Sequence, residues 1–414
     1  MARKRVTIVS SGHLSTCPRM LKAADALAAD GYDVRVVATR HEPWAVDADV
    51  DVRARRQWPV NTIDYSRAGA PGTYWRTGLR YRFARAIVSG VGPAAAPMPV
   101  VARAFGRVHA ELVDAAVAEP TDFIYGGTTG ALAAVAEAAT QFGVPYALDL
   151  EDLHHGEASG AQAAFENALA GRVEQAVLSR AAFLTTSSEA IGLAYEAQYG
   201  VAPAVVHNTF PLPPQAPPIA AGSRDLFRAY WFSQTIGPGR GLEDAVAALG
   251  HISVPAEIVL RGRPQAGYLD ALRALASAGA NRVTVTHAPP AAPDRMTDLA
   301  RGFDVGLALE QAAPLNRRLC QTNKAFTYIL AGVPVAMTDT EGQRPLAEDL
   351  GCAAVTAAPG DVDGLTRALL AWATDPARLE CAKRAAWQAA LRRWHWEHPL
   401  ERGRLQDLVR SALS

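Results

Sequence analysis

The stretch Asp149-Leu150-Glu151-Asp152-Leu153-His154-His155-Gly156-Glu157 puts three carboxylates within four residues and two imidazoles directly after them. Carboxylates that close repel one another unless hydroxyls, a base or water separates them, and the repulsion raises at least one pKa. That suits general base work or the orientation of a hydroxyl. Asp149, Glu151 and Asp152 are therefore the candidate catalytic residues, with Glu151 the candidate base. His154 and His155 add groups that titrate near neutrality. A metal centre is the competing chemistry, but residues adjacent on one loop rarely all reach one ion. The plainer reading is a solvated acidic loop that caps helices.

A second cluster suits an anion. Gln321-Thr322-Asn323-Lys324-Ala325-Phe326-Thr327-Tyr328-Ile329-Leu330-Ala331-Gly332-Val333-Pro334-Val335 reads as a polar loop, a short helix, a glycine stop and a buried strand. Thr322 is placed to cap that helix, with Asn323 and Lys324 in its first turn. A helix N-terminus offers unpaired N–H groups and partial positive charge, so a lysine there suits a phosphate. Thr327 reads as a helix surface position. Upstream, Trp231-Phe232-Ser233-Gln234-Thr235-Ile236-Gly237-Pro238-Gly239-Arg240-Gly241-Leu242-Glu243 is a strand, a glycine-rich loop with one arginine, and a helix. Glycines let backbone amides approach oxyanions, and arginine grips phosphate with a fixed fork. A plain turn with a solvent-facing arginine is the alternative. Ser11-Gly12-His13 is a further loop where backbone comes close to a ligand, with His13 expected to be exposed. Lesser candidates are Arg261-Gly262-Arg263, Glu310, the group Asp339, Glu341 and Gly342, and Trp396-Glu397.

The Lys324 segment resembles the "N-K-x-F-E-Y-x-x-x-G-x-P-V" element of GT-B-fold glycosyltransferases, especially family 4. The Arg240 segment is similar to the "S-G-T-x-x-x-x-[KR]-G" loop of the same family, and Trp396-Glu397 to its "[FY]-x-W-E". The resemblance runs over nearly the whole chain. It implies an α/β protein of GT-B fold, two Rossmann-like doubly wound domains facing across a cleft. It also implies retaining transfer of a sugar from a nucleotide-activated donor to an acceptor hydroxyl, with neither a metal nor another cofactor needed for the chemistry. The donor-binding residues would be Gly12, Thr235, Gly237, Arg240, Arg261, Glu310, Thr322, Asn323, Lys324 and Thr327. The acceptor would be a polysaccharide, a lipid-linked sugar or a natural product. The chain departs from the family at several points. Leu319 and Thr327 stand where relatives carry the glutamates of an E-x7-E motif, Thr235 where many carry a second basic residue, and Gly127-Thr128 where they often carry "H-D". These departures leave two other functions open, a sugar-nucleotide-binding scaffold without transfer activity and a GT-B sugar-nucleotide epimerase.

The elements that must hold these residues follow a βα rhythm. Val6 to Ser10 reads as a buried strand, Pro18 opens a helix, and Val34 to Ala38 is the next strand, which together predict a parallel doubly wound sheet. Further strands are predicted at Asp122 to Tyr125, Pro145 to Leu150, Phe183 to Ser188 and Val205 to Asn208. Residues 41 to 120 are less regular. The proline-dense Pro211 to Pro218 reads as a linker, and the second half repeats the rhythm. The expected division is 1–212 for an acceptor-binding domain, 213–390 for a donor-binding domain, and 391–414 for a terminal helix crossing back to the first.

A chain of 414 residues is too long for one ordinary core, which agrees with two domains. Its 49% hydrophobic and 20% charged residues are ordinary for a globular protein. The formal net charge is zero, which argues against a nucleic-acid partner bound through bulk charge. Cys17, Cys320, Cys352 and Cys381 are scattered and predict free thiols in a reduced compartment. With no run long enough to span a bilayer, a cytoplasmic protein is expected. Between Tyr74 and Arg107 the chain interleaves Trp75, Tyr81, Phe83 and Phe105 with six arginines, a pattern that suits peripheral contact with an anionic membrane or an ordinary exposed helix pair.

Overall fold

The computed structural model describes residues 3–219, 225–279 and 281–414. Two compact units emerge: one comprises residues up to His207 together with Arg402–Ser414, and the other spans Asn208–Glu401.

The first unit holds a seven-stranded parallel sheet built from β1 (Arg5–Ser10), β2 (Asp33–Arg40), β3 (Val60–Asp64), β4 (Phe123–Gly127), β5 (Tyr146–Leu150), β6 (Phe183–Thr186) and β7 (Ala204–Val205). Their order is β3-β2-β1-β4-β5-β6-β7. The second unit holds β8 (Phe227–Ile236), β9 (Ala256–Pro264), β10 (Val283–Ala288), β11 (Val305–Ala308), β12 (Val335–Thr338) and β13 (Ala354–Ala357), in the order β10-β9-β8-β11-β12-β13. Each sheet runs outward from its first strand, then back past it on the other side. The crevice beyond the carboxyl ends of β1 and β4, and of β8 and β11, is where a sheet of this order binds ligands. Strand β3 lies in the stretch that looked irregular in sequence, because its Val60-Asn61-Thr62-Ile63-Asp64 is only partly covered and carries no continuous apolar run.

Parallel strands covered on both faces are apolar at consecutive positions, and alternate residues feed opposite cores. In the second unit Ala229, Trp231, Ile258, Leu260, Val305 and Leu307 enter one apolar cluster. Tyr230, Val259 and Ala308, each next to one of these in sequence, enter the other. Trp231, Tyr230, Phe326 and Tyr328 are among the largest fully buried side chains.

The boundaries differ from those read in the sequence. The division falls after His207, not after residue 212, because Phe210, Leu212 and Ile219 pack on the second core. The Leu212 N–H donates to Glu397 at 3.0 Å, and the Trp396 N–H to the Phe210 carbonyl at 2.8 Å, so the proline-dense segment is a packed border of the second unit. At the other end, the helix Pro376–Arg392 passes residue 391 without a break, and the return to the first unit begins at Arg402. There Arg404 donates to the Val205 carbonyl, Gln406 to the Ala26 carbonyl, and Arg410 pairs with Asp30.

Candidate functional site

In the second unit the loop after β8 is shaped by its glycines. Gly239 and Gly241 have φ of +72° and +68°. A Cβ on Gly241 would lie 2.6 Å from the Leu309 Cβ and 2.7 Å from the Leu309 carbonyl oxygen, so only glycine lets this turn rest on the end of β11. Arg240 is thereby carried beside Glu310, the residue after Leu309.

Glu310 is buried, and its two oxygens are held by two cations. Lys324 Nζ donates to Oε1 at 2.9 Å, and Arg317 Nη1 to Oε2 at 2.6 Å. Burial would raise the Glu310 pKa, but Lys324, Arg317 and Arg240 outweigh it and hold the carboxyl at about 2. Lys324 also donates to the Thr322 hydroxyl at 3.2 Å and lies over the Trp231 ring. Burial and the neighbouring Arg317 charge both press the Arg240 pKa down, while Glu310 partly offsets them. Among the described residues no hydrogen bond or ion pair engages the Arg240 guanidinium. Three cations therefore surround one carboxylate, an excess of two positive charges at the carboxyl edge of the sheet.

The other predicted donor residues are placed as follows. Thr322 is the N-cap of the helix Asn323–Leu330, yet its side chain makes no capping bond and serves Lys324 instead. Asn323 opens the helix, partly buried. Thr327 is not a surface position: it is fully buried and donates to the Asn323 carbonyl at 3.3 Å. Thr235 lies on β8 beyond an irregularity in its pairing, opposite Arg263, and Gly237 packs on the Gln265 side chain. Arg261 is tied to the Tyr230 hydroxyl at 2.8 Å and the Pro289 carbonyl at 2.7 Å, and no described contact joins it to the Glu310 cluster. A Cβ on Gly342 would lie 2.2 Å from the Leu319 carbonyl oxygen, which seats the loop after β12 against the short helix Leu315–Leu319 that carries Arg317. Arg317 was missed in the sequence. Nothing there separates it from Arg318, which instead pairs with Glu341 nearer the surface.

In the first unit, the loops after β1, β4 and β5 meet. Thr128 is the only non-glycine residue of positive φ among the described residues, at +75°. Its hydroxyl accepts from the Ser11 N–H at 3.0 Å and lies 2.7 Å from the Ser11 hydroxyl, which locks the β1 and β4 loops together. Gly12 packs on Cys17, where a Cβ would come within 2.7 Å of the sulfur. His13 is buried, not exposed. Its Nδ1 bonds Asp49 at 2.7 Å, and its Nε2 accepts from the N–H groups of His41 and Glu42.

The acidic run divides into different jobs. Asp149 is buried and forked by Arg19, with Nε to Oδ2 at 2.6 Å and Nη2 to Oδ1 at 2.5 Å, and it accepts from Thr185 at 2.7 Å. The structure thus gives Asp149 a structural ion pair; it also shows Arg19, which the sequence reading passed over as a helix residue. Glu151 and Asp152 sit just past the strand, partly buried. Burial first, and then repulsion from Asp152, push Glu151 up to about 7, although Arg19 works against them. His154 is buried. Burial would lower its pKa, but Glu157, 2.9 Å away, with Glu174 and Asp152, raises it to about 9. Its Nε2 has no described hydrogen-bond partner. His155 bonds buried Glu174 at 2.8 Å, which also accepts from Tyr195 and Tyr199. Among the described residues no group of three His, Cys, Asp or Glu is arranged to hold a metal ion.

Residues 18–209 match the family model of the glycosyl transferase 4-like domain. Over its whole length the chain is similar to solved structures. Anabaena HepE in complex with UDP and glucose shares 16% identity, with 99% of each chain covered and a TM-score of 0.67. The lipopolysaccharide outer core galactosyltransferase WaaB in its apo form shares 10%, covering 98% of this chain and 99% of that one at a TM-score of 0.59. Arabidopsis thaliana UGT89C1 complexed with quercetin shares 15%, with all of both chains covered at 0.56. None of the curated proteins matches the chain in sequence. The chain has the GT-B fold, and its first unit resembles a family 4 glycosyltransferase domain.

Proposed function

We propose that the protein transfers a sugar from a nucleoside diphosphate donor to an acceptor hydroxyl. The observation that carries this reading is the Glu310 cluster, where Arg240, Arg317 and Lys324 leave two positive charges uncompensated. A sugar diphosphate diester brings two negative charges, which matches that excess better than a monophosphate does. UDP bound to HepE supports the same donor class. Arg240, free to turn its fork to the ligand, would stabilise the charge that develops on the leaving diphosphate. Lys324 and Arg317 supply fixed field from positions that Glu310 keeps in place. This is the need that a bound metal would otherwise meet, so the reading includes metal-independent chemistry, and retention of configuration follows the family resemblance.

On the acceptor side Glu151, half protonated near neutral pH, is the proposed base or hydroxyl-orienting group. Asp149 would act only by holding Arg19 and the end of β5. Asp152 contributes the charge that raises Glu151. The acceptor is a carbohydrate, lipid-linked sugar or natural product. Peripheral membrane contact is part of the proposal. On the helix Pro71–Val91, Trp75, Leu79 and Phe83 recur one turn apart and are 50%, 62% and 71% exposed, with Arg76 and Arg82 exposed beside them. Arg76 and Arg80 share Glu111 and Arg85 is paired with Glu166, so only part of the basic stretch is available to lipid. No helix among the described residues is long and apolar enough to cross a membrane.

The test is a thermal-shift and calorimetric screen of nucleotides and nucleotide sugars, with Arg240→Ala as the control that leaves described contacts intact. A nucleoside diphosphate that stabilises the wild type and fails on the variant supports the donor site. Equal stabilisation of both would sink it. Donor binding with no turnover on any acceptor would favour a scaffold, and turnover without acceptor an epimerase.

A further inference from the structure

The four cysteines are far apart in sequence, but the fold brings two of them together. Cys352 lies in the turn Gly351–Ala353, and Cys381 in the second turn of the helix Pro376–Arg392. Both are free and exposed, and the turn Gly351–Ala353 packs against the helix Pro376–Arg392, which brings Cys381 close enough to act on Cys352. Cys17, by contrast, is buried against Ser10, and Cys320 donates to the Arg317 carbonyl at 3.5 Å.

The seam that holds the pair is fixed on both sides. Ala353, adjacent to Cys352, and Ala386, on the same helix as Cys381, are buried in one apolar cluster. Asp349, three residues before Cys352, accepts from Arg392 at 2.8 Å and from the Trp394 indole at 2.7 Å. The backbone segments bearing the two thiols are therefore already docked, and a bond between the sulfurs asks for little further ordering. Cys352 stands two residues before β13, at the amino edge of the sheet. The Glu310 cluster stands at the carboxyl edge, so a link here would strengthen the unit without touching the anion site.

We propose that Cys352 and Cys381 are a redox modification site, a dithiol that closes reversibly to a disulfide stapling the turn before β13 to the helix Pro376–Arg392. The oxidant is a peroxide. One thiolate sulfur attacks the O–O bond, becomes a sulfenic acid and releases hydroxide, which leaves as water. The second sulfur attacks the sulfenic sulfur, forms the S–S bond and expels the oxygen as a second water. Two electrons pass from the sulfurs to the peroxide, and a small-molecule dithiol reverses the step by exchange. Burial and the neighbouring Cys381 raise the Cys352 pKa.

The experiment uses the full chain, treated with a slight excess of hydrogen peroxide, alkylated with N-ethylmaleimide and digested without reductant. The expected result is a peptide pair joined through Cys352 and Cys381, two hydrogens lighter than the free peptides and separated by dithiothreitol. The melting temperature should rise by several degrees on oxidation and return on reduction, because the bond closes a loop of about 30 residues in the unfolded chain. Cys352→Ser and Cys381→Ser should each melt like the reduced wild type and ignore the oxidant. Over-oxidation of either cysteine without a crosslink, a crosslink between chains, or a joined pair with unchanged melting would overturn the proposal.

Discussion

Replacing Glu310 by glutamine tests the anion site through its charge balance. The carboxyl is held at about 2 against an ordinary 4.5, a difference of about 2.5 units, or roughly 3 kcal/mol of folding stability at neutral pH. Glutamine keeps the shape and removes the charge, leaving Lys324, Arg317 and Arg240 to repel one another in a buried place. The folded pKa is depressed, so this stability is complete above the ordinary carboxylate range and is lost as pH falls through about 2. Integration over the two pKa values leaves a little under half of it at pH 3, on the order of 1 kcal/mol. Urea unfolding of wild type and Glu310→Gln should therefore show a gap of about 3 kcal/mol at pH 7 that narrows to a little under half at pH 3. A gap of equal size at both values would mean that the substitution disturbs packing and not charge. No gap at pH 7 would mean that the three cations do not depend on Glu310 at all, and the electrostatic argument for the donor site would fail with it.

Other consequences are simpler to read. Arg240→Ala should leave unfolding almost unchanged and weaken nucleoside diphosphate binding by roughly 10- to 100-fold by calorimetry, the range of one or two charge-assisted bonds. Asp149→Asn should cost about 3 kcal/mol or more of stability, because it strands buried Arg19; Glu151→Gln should unfold like wild type yet lose transfer, and the reverse pattern would exchange their roles. The His154 imidazole, raised to about 9, contributes stability that is complete below about 6.5 and lost as pH rises through about 9, so His154→Gln should flatten the alkaline limb of the stability profile. Trp75→Ser with Phe83→Ser should abolish co-sedimentation with vesicles containing anionic lipid while leaving the melting temperature unchanged; retained binding would remove the helix Pro71–Val91 from the membrane proposal.

Much of this protein was legible before any coordinates. The mostly apolar runs at Val6 to Ser10, Val34 to Ala38 and Val305 to Leu309 specify parallel strands, because a strand covered on both faces is apolar at most consecutive positions. Gly239 and Gly241 mark a turn, and that turn is built as expected because only glycine tolerates its backbone and its contact with Leu309. Local chemistry was legible because it needs only neighbours along the chain. What depends on partners far away in sequence was not. Asp149 looks like its neighbour Glu151, and only the arrival of Arg19, 130 residues distant, makes one a structural anchor and leaves the other a titrating acid near neutrality. Thr327 reads as a surface residue until the second core covers it. Lys324 reads as a lone helix cation until Glu310 and Arg317 join it. Cys352 and Cys381 are two scattered thiols until their elements dock. Sequence fixes which groups a chain can bring to a site; the fold fixes which charges are buried together, and burial sets what those charges are worth.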